Sequence, residues 1–270
     1  MQLLGDMQLD IRPLALGSRL KSNPAINTLG FKPCFQNYSA HEQKLILEAD
    51  LIYYPTAFYA DMLNALGKKT FPCYHTYNFA LDKIKQTAMF NMLGLPHPKT
   101  RIFYGTRQKK NILNHFDFPF IAKKARGSAK GEGVHLIQNE KDLALYLINN
   151  SPAYIQEYLP VDRDMRIIII GKKIRLAYWR IAQSNDFRTN VSQGGTISFD
   201  PMSDQALELA LKIALKCGWD DVGIDIIMHK GQLMLLEGNM KYGTQGFKQA
   251  GIDYKKMLGE LVLKGELAGE

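Results

Sequence analysis

Apolar positions along this chain repeat at two different spacings, and the places where the spacing changes mark out its elements. Residues 80–93 put Leu81, Ile84, Ala88, Met92 and Leu93 at helical intervals, with Gly94 and Pro96 as stop signals. Helices are also predicted over 39–49, 55–66 (Gly67 just beyond), 139–149 and 203–216 (ended by Gly218), and one more short helix in the tail. Short apolar or alternating runs predict strands at 51–54, 101–104, 118–123, 134–137 and 154–158. Residues 165–170 and 173–181 read as a long hairpin across Gly171-Lys172. A second hairpin joins the apolar runs 222–228 and 233–236 across His229-Lys230-Gly231. Residues 71–78, aromatic and carrying Pro72, read as strand and loop, and the first 35 residues give no clear pattern. The succession predicts an α+β protein. A small α/β lobe at 1–79 is followed by lobes at 80–153 and 154–270 built on antiparallel sheets.

Composition adds limits. A chain of 270 residues, 46 % hydrophobic and 22 % charged, is ordinary for a soluble globular protein and long enough for one to three domains. No apolar run approaches the roughly 20 residues of a membrane span, and the N-terminus lacks the pattern of a secretory signal. Cys34, Cys73 and Cys217 are odd in number and far apart, which points to reduced thiols and a cytoplasmic location. The net charge of +8 is concentrated: residues 99–133 hold nine Lys or Arg against two acidic residues. Such an excess implies an anionic partner, either a nucleotide triphosphate or nucleic acid, unless it is simply a solvated basic face.

Within this frame the second hairpin carries the sharpest chemistry. Alternation along a strand puts Glu237 and Asn239 on one face, and hairpin pairing brings Asp225 beside them. Two carboxylates and an amide oxygen form a hard-oxygen set suited to magnesium bridging phosphates; a strand end with an exposed Glu and a turn Asn would read the same. The stretch Lys123-Lys124-Ala125-Arg126-Gly127-Ser128-Ala129-Lys130-Gly131-Glu132-Gly133 matches neither of the common phosphate-binding glycine fingerprints. A strand follows it, so it is either a flap able to fold over a triphosphate, with Lys123 as a point charge, or a flexible basic hairpin. Lys83 in the first turn of the 80–93 helix is on its own a solvated lysine. Asp164 and Arg166 share a strand face, Arg180 ends the partner strand, and Asp186-Phe187-Arg188-Thr189-Asn190 with Gly194-Gly195 follows in a loop. These groups suit bidentate binding of phosphate or carboxylate, and equally a surface salt-bridge lattice. The three Cys and six His form no triad pattern, so no covalent nucleophile is expected.

The pieces also come in a telling order: Asp82-Lys83, Lys123 with its glycine loop, Gln156-Glu157-Tyr158, Asp164-x-Arg166, the 186–190 loop, Gly194-Gly195, Gly223-Ile224-Asp225 and Glu237-x-Asn239. From about residue 80 to 255 this order resembles the ATP-grasp superfamily, and within it the RimK-like carboxylate–amine ligases. The resemblance implies an ATP-grasp fold, two α+β lobes gripping ATP after a shortened α/β N-terminal lobe. It implies that Lys83 and Lys123 contact ATP phosphates, with Gly127, Ser128, Gly131 and Gly133 in the covering loop. Glu157 and Tyr158 would lie on the adenine side and Asp164 near the ribose. Arg188, Thr189 and Asn190 would contact nucleotide phosphate and the reacting carboxylate, with Arg180 a weaker candidate for the phosphoryl or acyl-phosphate oxygens; Arg188 and Arg180 are the catalytic candidates. Asp225, Glu237 and Asn239 would hold two Mg2+ ions, Glu237 bridging them, with Mn2+ as a substitute. The activity implied is ATP-dependent amide formation through an acyl phosphate, adding glutamate or another amino acid to a small-molecule or peptide carboxylate. The resemblance thus favours a nucleotide over nucleic acid as the anion, calls for no membrane, and leaves a homo-oligomer open. Phosphoryl transfer to a hydroxyl and non-catalytic binding of anions or nucleic acid are the rival functions. Three departures bear on substrate: a glycine loop one residue longer than usual, Met240-Lys241-Tyr242-Gly243 where the family has a small residue and Pro-Gly, and no clear opening strand.

Overall fold

The computed structural model describes residues 12–79, 82–127, 133–183 and 194–267. The chain divides into two compact units, one of residues 1–74 with 251–270 and the other of residues 75–250.

The first unit is built on a parallel sheet. Strands β1 (Leu14–Ala15) and β2 (Asn27–Thr28) are only two residues long, too short for a periodic signal, which is why the opening of the chain resists reading. Helix α1 (Ala40–Glu48) starts at a reciprocal cap: Ser39 Oγ accepts from Glu42 N at 3.2 Å, and Ser39 N donates to the Glu42 carboxylate at 2.7 Å. Strand β3 (Leu51–Tyr53), helix α2 (Thr56–Ala65) and strand β4 (Lys69–Phe71) complete the order β2-β1-β3-β4. Leu14, Leu16, Ile46, Ile52, Tyr59 and Leu63 form its core. The expected strand-and-loop passage at 71–78 is instead the end of β4 followed by a helical turn, α3 (Tyr74–Phe79). Aromatic residues suggested a strand there, but local hydrogen bonding prevails over that weak propensity.

The second unit opens with α4 (Lys83–Met92), capped by Asp82, whose carboxylate accepts from Ile84 N and Lys85 N. Its predicted apolar stripe is corrected by the structure. Gln86, Thr87 and Phe90 face inward, whereas Ala88 and Met92 are exposed, Met92 at 84 %. The helix is turned so that two polar side chains reach buried partners. Strand β5 (Thr100–Phe103), helix α5 (Gly105–Lys109), strands β6 (Phe120–Lys123) and β7 (Val134–Ile137), helix α6 (Glu140–Asn149) and strand β8 (Ala153–Glu157) follow. They form the antiparallel sheet β5-β8-β6-β7 over a core of Phe103, Phe116, Phe120, Ile137 and Ile155. This sheet takes in β8, so it runs across the border expected at 153.

The second sheet carries the site. Strands β9 (Arg163–Ile170), β10 (Lys173–Ile181) and β11 (Thr196–Ser198), helix α7 (Asp204–Cys217) and strands β12 (Asp221–His229) and β13 (Gln232–Asn239) give the antiparallel order β11-β10-β9-β12-β13. Ser203 caps α7, and Gly218, at φ 66°, ends it. Lys230 and Gly231, both at positive φ, make the two-residue turn between β12 and β13. Strand alternation divides the sheet's side chains, with a β-bulge between Leu235 and Glu237 that turns Glu237 to the face opposite Leu235. Met165, Ile167, Ile169, Val222, Ile224, Ile226 and Leu235 pack with Ala206, Ala210 and Ile213 of α7 and with Trp219. The opposite face carries Asp164, Arg166, Arg180, Asp225, Glu237 and Asn239.

Gly238 lies on the apolar face with the buried Trp219 ring against it. A Cβ there would sit 2.3 Å from a ring carbon. Gly238→Ala is therefore expected to destabilise the protein by about 1–3 kcal/mol, and an unchanged thermal midpoint would refute that packing. A short helix, α8 (Gln245–Gln249), follows β13, and a second, α9 (Tyr254–Leu263), ends the described chain, where one tail helix was expected. Helix α9 groups with the first unit, where Arg19 donates to Tyr254 Oη at 3.0 Å.

Candidate active site

The polar face of the five-stranded sheet is an ion-pair lattice set up by register. Asp164 lies opposite Arg180, and Arg166 lies between Tyr178 on β10 and Asp225 on β12. Arg180 grips Asp164 with two bonds of 2.7 and 2.6 Å and reaches Asp225 at 2.8 Å. Arg166 holds Asp225 through Nε and, at 2.8 Å, through a terminal nitrogen, while its other terminal nitrogen donates to the Tyr242 carbonyl at 3.0 Å. All four charged side chains are buried. Burial pushes the Asp225 carboxyl upward against the pull of both guanidiniums, and it opposes charge on Arg180, whose two carboxylate partners nonetheless hold it firmly protonated. Gly223 leaves room for this traffic, since a Cβ there would meet Tyr242 Cβ at 2.7 Å and Arg166 Cδ at 2.9 Å.

One strand further, a β-bulge between Asp225 and Ile226 shifts the register so that Asp225 pairs with Glu237 and Gly223 with Asn239, and alternation keeps Glu237 and Asn239 on one face. Lys83 Nζ donates to Glu237 at 2.7 Å. The first turn of α4 is held in place for this: Lys83 N bonds Ala125 O at 3.1 Å, and Arg126 Nε bonds Asp82 at 2.8 Å. Lys123 ends β6 and is buried near the same carboxylate. Burial drives Lys123 down to about 8, with Glu237 resisting and the charge of Lys83 adding to the fall. Burial also resists ionisation of Glu237, but Lys83 and Lys123 outweigh it and bring the carboxyl down to about 2. Lys83 itself, disfavoured by burial, is held above the ordinary lysine value by Glu237. Four cationic side chains thus converge with three carboxylates, an arrangement with capacity for a further anion.

The other expected residues fall as follows. Asn239 shares the face with Glu237, and its Oδ1 accepts from Lys241 N at 2.8 Å. The Glu157 carboxylate accepts from Lys99 N at 2.5 Å, and Tyr158 is the half-buried residue after β8. Gly127 and Gly133, both at positive φ, stand at the base of the β6–β7 connection, closed by Lys124 N bonding Gly133 O at 2.7 Å. Ser128, Gly131, Arg188, Thr189 and Asn190 lie outside the described residues. Among the described residues no group of three or more His, Cys, Asp or Glu forms a metal cluster; the hairpin set is two carboxylates and an amide. No helix among them is long and apolar enough to cross a membrane.

Sequence reasoning missed Gln86 and Thr87, and it named Tyr242 only within the stretch that departs from the family pattern. Thr87 Oγ1 shares a 2.8 Å hydrogen bond with Tyr154 Oη, and Tyr242 Oη donates to Asp221 at 2.6 Å. Gln86 lies three residues after Lys83 and so one helical turn along the same face, a spacing that could have exposed it.

Comparison with known proteins agrees with this architecture. The family model of the RimK-like ATP-grasp domain matches residues 80–262. The coenzyme gamma-F420-2:alpha-L-glutamate ligase of Methanococcus maripaludis is 31 % identical over 192 residues, covering 68 % of this chain and 66 % of that protein. A probable alpha-L-glutamate ligase of Haemophilus influenzae is 29 % identical over 198 residues, 69 % of this chain and 65 % of the relative. The chain thus spans just under two thirds of the length of these curated relatives. In fold it is similar to the ATP-grasp ligase PsnB, solved with a phosphomimetic precursor variant, Mg and ADP, at a TM-score of 0.67 and 15 % identity, over 94 % of this chain and 98 % of that one. The family model covers both sheets of the second unit, with the lysines, the Arg–Asp lattice and the acid–amide hairpin inside the matched residues, and the chain belongs to the RimK-like ATP-grasp family.

Proposed function

We propose that this protein is an ATP- and magnesium-dependent ligase that joins a carboxylate to an amine, with glutamate as the amino acid added. The observation that carries the reading is the ion pair of Lys83 with Glu237, within electrostatic reach of the buried Lys123, on the sheet face that also bears Asp225 and Asn239. The carboxylate oxygen of one substrate attacks the γ-phosphorus of ATP, giving an acyl phosphate and ADP. The amine then attacks the acyl carbon, phosphate leaves with the C–O bonding pair, and the nitrogen loses a proton. Mutually repelling anions must be gathered for this, so countercharge and positioning supply most of the catalysis. Lys83 and Lys123 donate to phosphate oxygens, and Arg188 is assigned to the reacting carboxylate or phosphate. Arg166 and Arg180 keep Asp225 in place on the sheet. The donors suit a hard divalent cation, since Glu237 stays ionised at any physiological pH and Asn239 adds a neutral oxygen on the same face. Two Mg2+ ions, or Mn2+ in their place, would be held by Glu237 and Asn239, with Asp225 joining them by giving up a guanidinium bond, and would supply charge neutralisation at the phosphates. The glutamate preference rests on the relatives' names.

The test is release of ADP and phosphate from ATP and magnesium in the presence of pooled amino acids and short acidic peptides. Turnover only with the pool, and an amide product by mass spectrometry, supports the ligase. ADP with a phosphorylated alcohol and no amide would turn the reading to a phosphotransferase. Oligonucleotide binding that weakens with salt, without turnover, would turn it to a binding protein.

The acidity of Lys123 gives a further expectation. The ammonium form binds phosphate, and bound phosphate raises its pKa above the free value of about 8. ADP affinity should therefore fall as pH rises through about 8. Calorimetric titration from pH 6.5 to 9.5 measures this, and an affinity constant across that range would remove Lys123 from the phosphate site.

A further inference from the structure

Gln86 is buried at 4 % exposure on the inward face of α4, yet it carries a polar amide. Its amide pairs reciprocally with the main chain of Gly238: Nε2 donates to Gly238 O at 2.7 Å, and Gly238 N donates to Oε1 at 3.0 Å. Nε2 also donates to Phe79 O at 2.8 Å. β13 is the edge strand of its sheet, so Gly238 turns its own N–H and C=O away from β12, and Gln86 takes the place of a missing neighbour strand. Gly238 is thus fixed on three sides, by β12, by the Trp219 ring and by Gln86. The residues on either side of it are Glu237 and Asn239. One helical turn before Gln86 is Lys83, bonded to Glu237.

We infer that Gln86 is a positioning residue that locks the edge strand bearing Glu237 and Asn239 to the helix bearing Lys83, and so sets the geometry in which the acid–amide pair binds a divalent cation. This rests on the ligase reading of the same site. The amide is suited to the task because only a side chain with both a donor and an acceptor can answer both polar groups of one residue. Groups that orient metal ligands without touching the metal typically change affinity by about 10–100-fold when removed.

The test is Mn2+ affinity, read from the electron paramagnetic resonance of free Mn2+ with ADP present, in the full chain. Gln86→Leu removes both bonds to Gly238. Gln86→Glu keeps the acceptor and loses the donors, and carries the test if the leucine variant does not fold. Ile213→Val thins the apolar core under the same sheet without reaching Gly238, and serves as the control for lost stability. Both Gln86 variants are expected to bind Mn2+ at least tenfold more weakly than wild type, with the control unchanged. Wild-type affinity in the Gln86 variants overturns the inference alone, as does an equal loss in the control. A wild-type chain that binds no Mn2+ overturns the ligase reading, and the inference with it.

Discussion

Glu237→Gln is expected to lower ADP release by about 10³-fold, roughly 4 kcal/mol of barrier, while the chain stays folded. Glutamine has the same shape and keeps an oxygen facing Lys83, so the 2.7 Å contact survives as a weaker bond. The charge does not survive. Glu237 is the carboxylate that holds Lys83 protonated and resists the neutralisation of Lys123. Without it two buried ammonium groups face each other, and Lys123 falls further below about 8, towards its neutral form. A divalent cation would at the same time lose an anionic donor, and the two losses act on the same phosphates. Steady-state turnover at saturating magnesium, with circular dichroism to confirm folding, is the measurement. A fall of less than tenfold would show that the chemistry happens elsewhere.

Asp225→Asn is expected to act first on stability, costing about 3–5 kcal/mol. Asp225 is 2 % exposed and is held by both Arg166 and Arg180. An amide can accept from one guanidinium but carries no charge, so two buried cations would lose a carboxylate that both of them hold. Asp162→Asn makes the contrast. Its ion pair with Arg163 at 3.1 Å is at the surface, the Asp162 side chain 72 % exposed, so its removal should change stability by less than about 0.5 kcal/mol. Urea unfolding of both variants decides the matter, and a cost below about 1 kcal/mol for Asp225→Asn would mean that the lattice does not hold this face together.

Much of this architecture can be read before any coordinates are known. The capped helices at Ser39, Asn139 and Ser203 lie within a residue or two of their expected bounds, because caps and stop glycines are local signals. Both long hairpins are present, but turn and alternation alone would set Asp225 opposite Leu236; a β-bulge between Asp225 and Ile226, which the sequence does not announce, shifts it onto Glu237. The opening strands and the helix after β4 were not legible, being too short to impose a period. The inward face of α4 was misread because Gln86 and Thr87 are polar: an apolar stripe is a sound guide only when burial is apolar, and here hydrogen bonds to Gly238 and Tyr154 decided the rotation.

The sequence by itself determined the longer helices and hairpins, the α+β class and the run of motifs by which the family is identified, all of which depend on spacing within a few residues. The tertiary structure alone decided the partners: Lys83 with Glu237 across 154 positions, Gln86 with Gly238 across 152, and Asp225 with two arginines 59 and 45 positions away. Such pairs depend on how two sheets and a helix pack together. Backbone periodicity sets the face on which a charge stands, but only packing sets which opposite charge it meets there, and therefore which carboxylates are held by arginine and which stand beside the lysines.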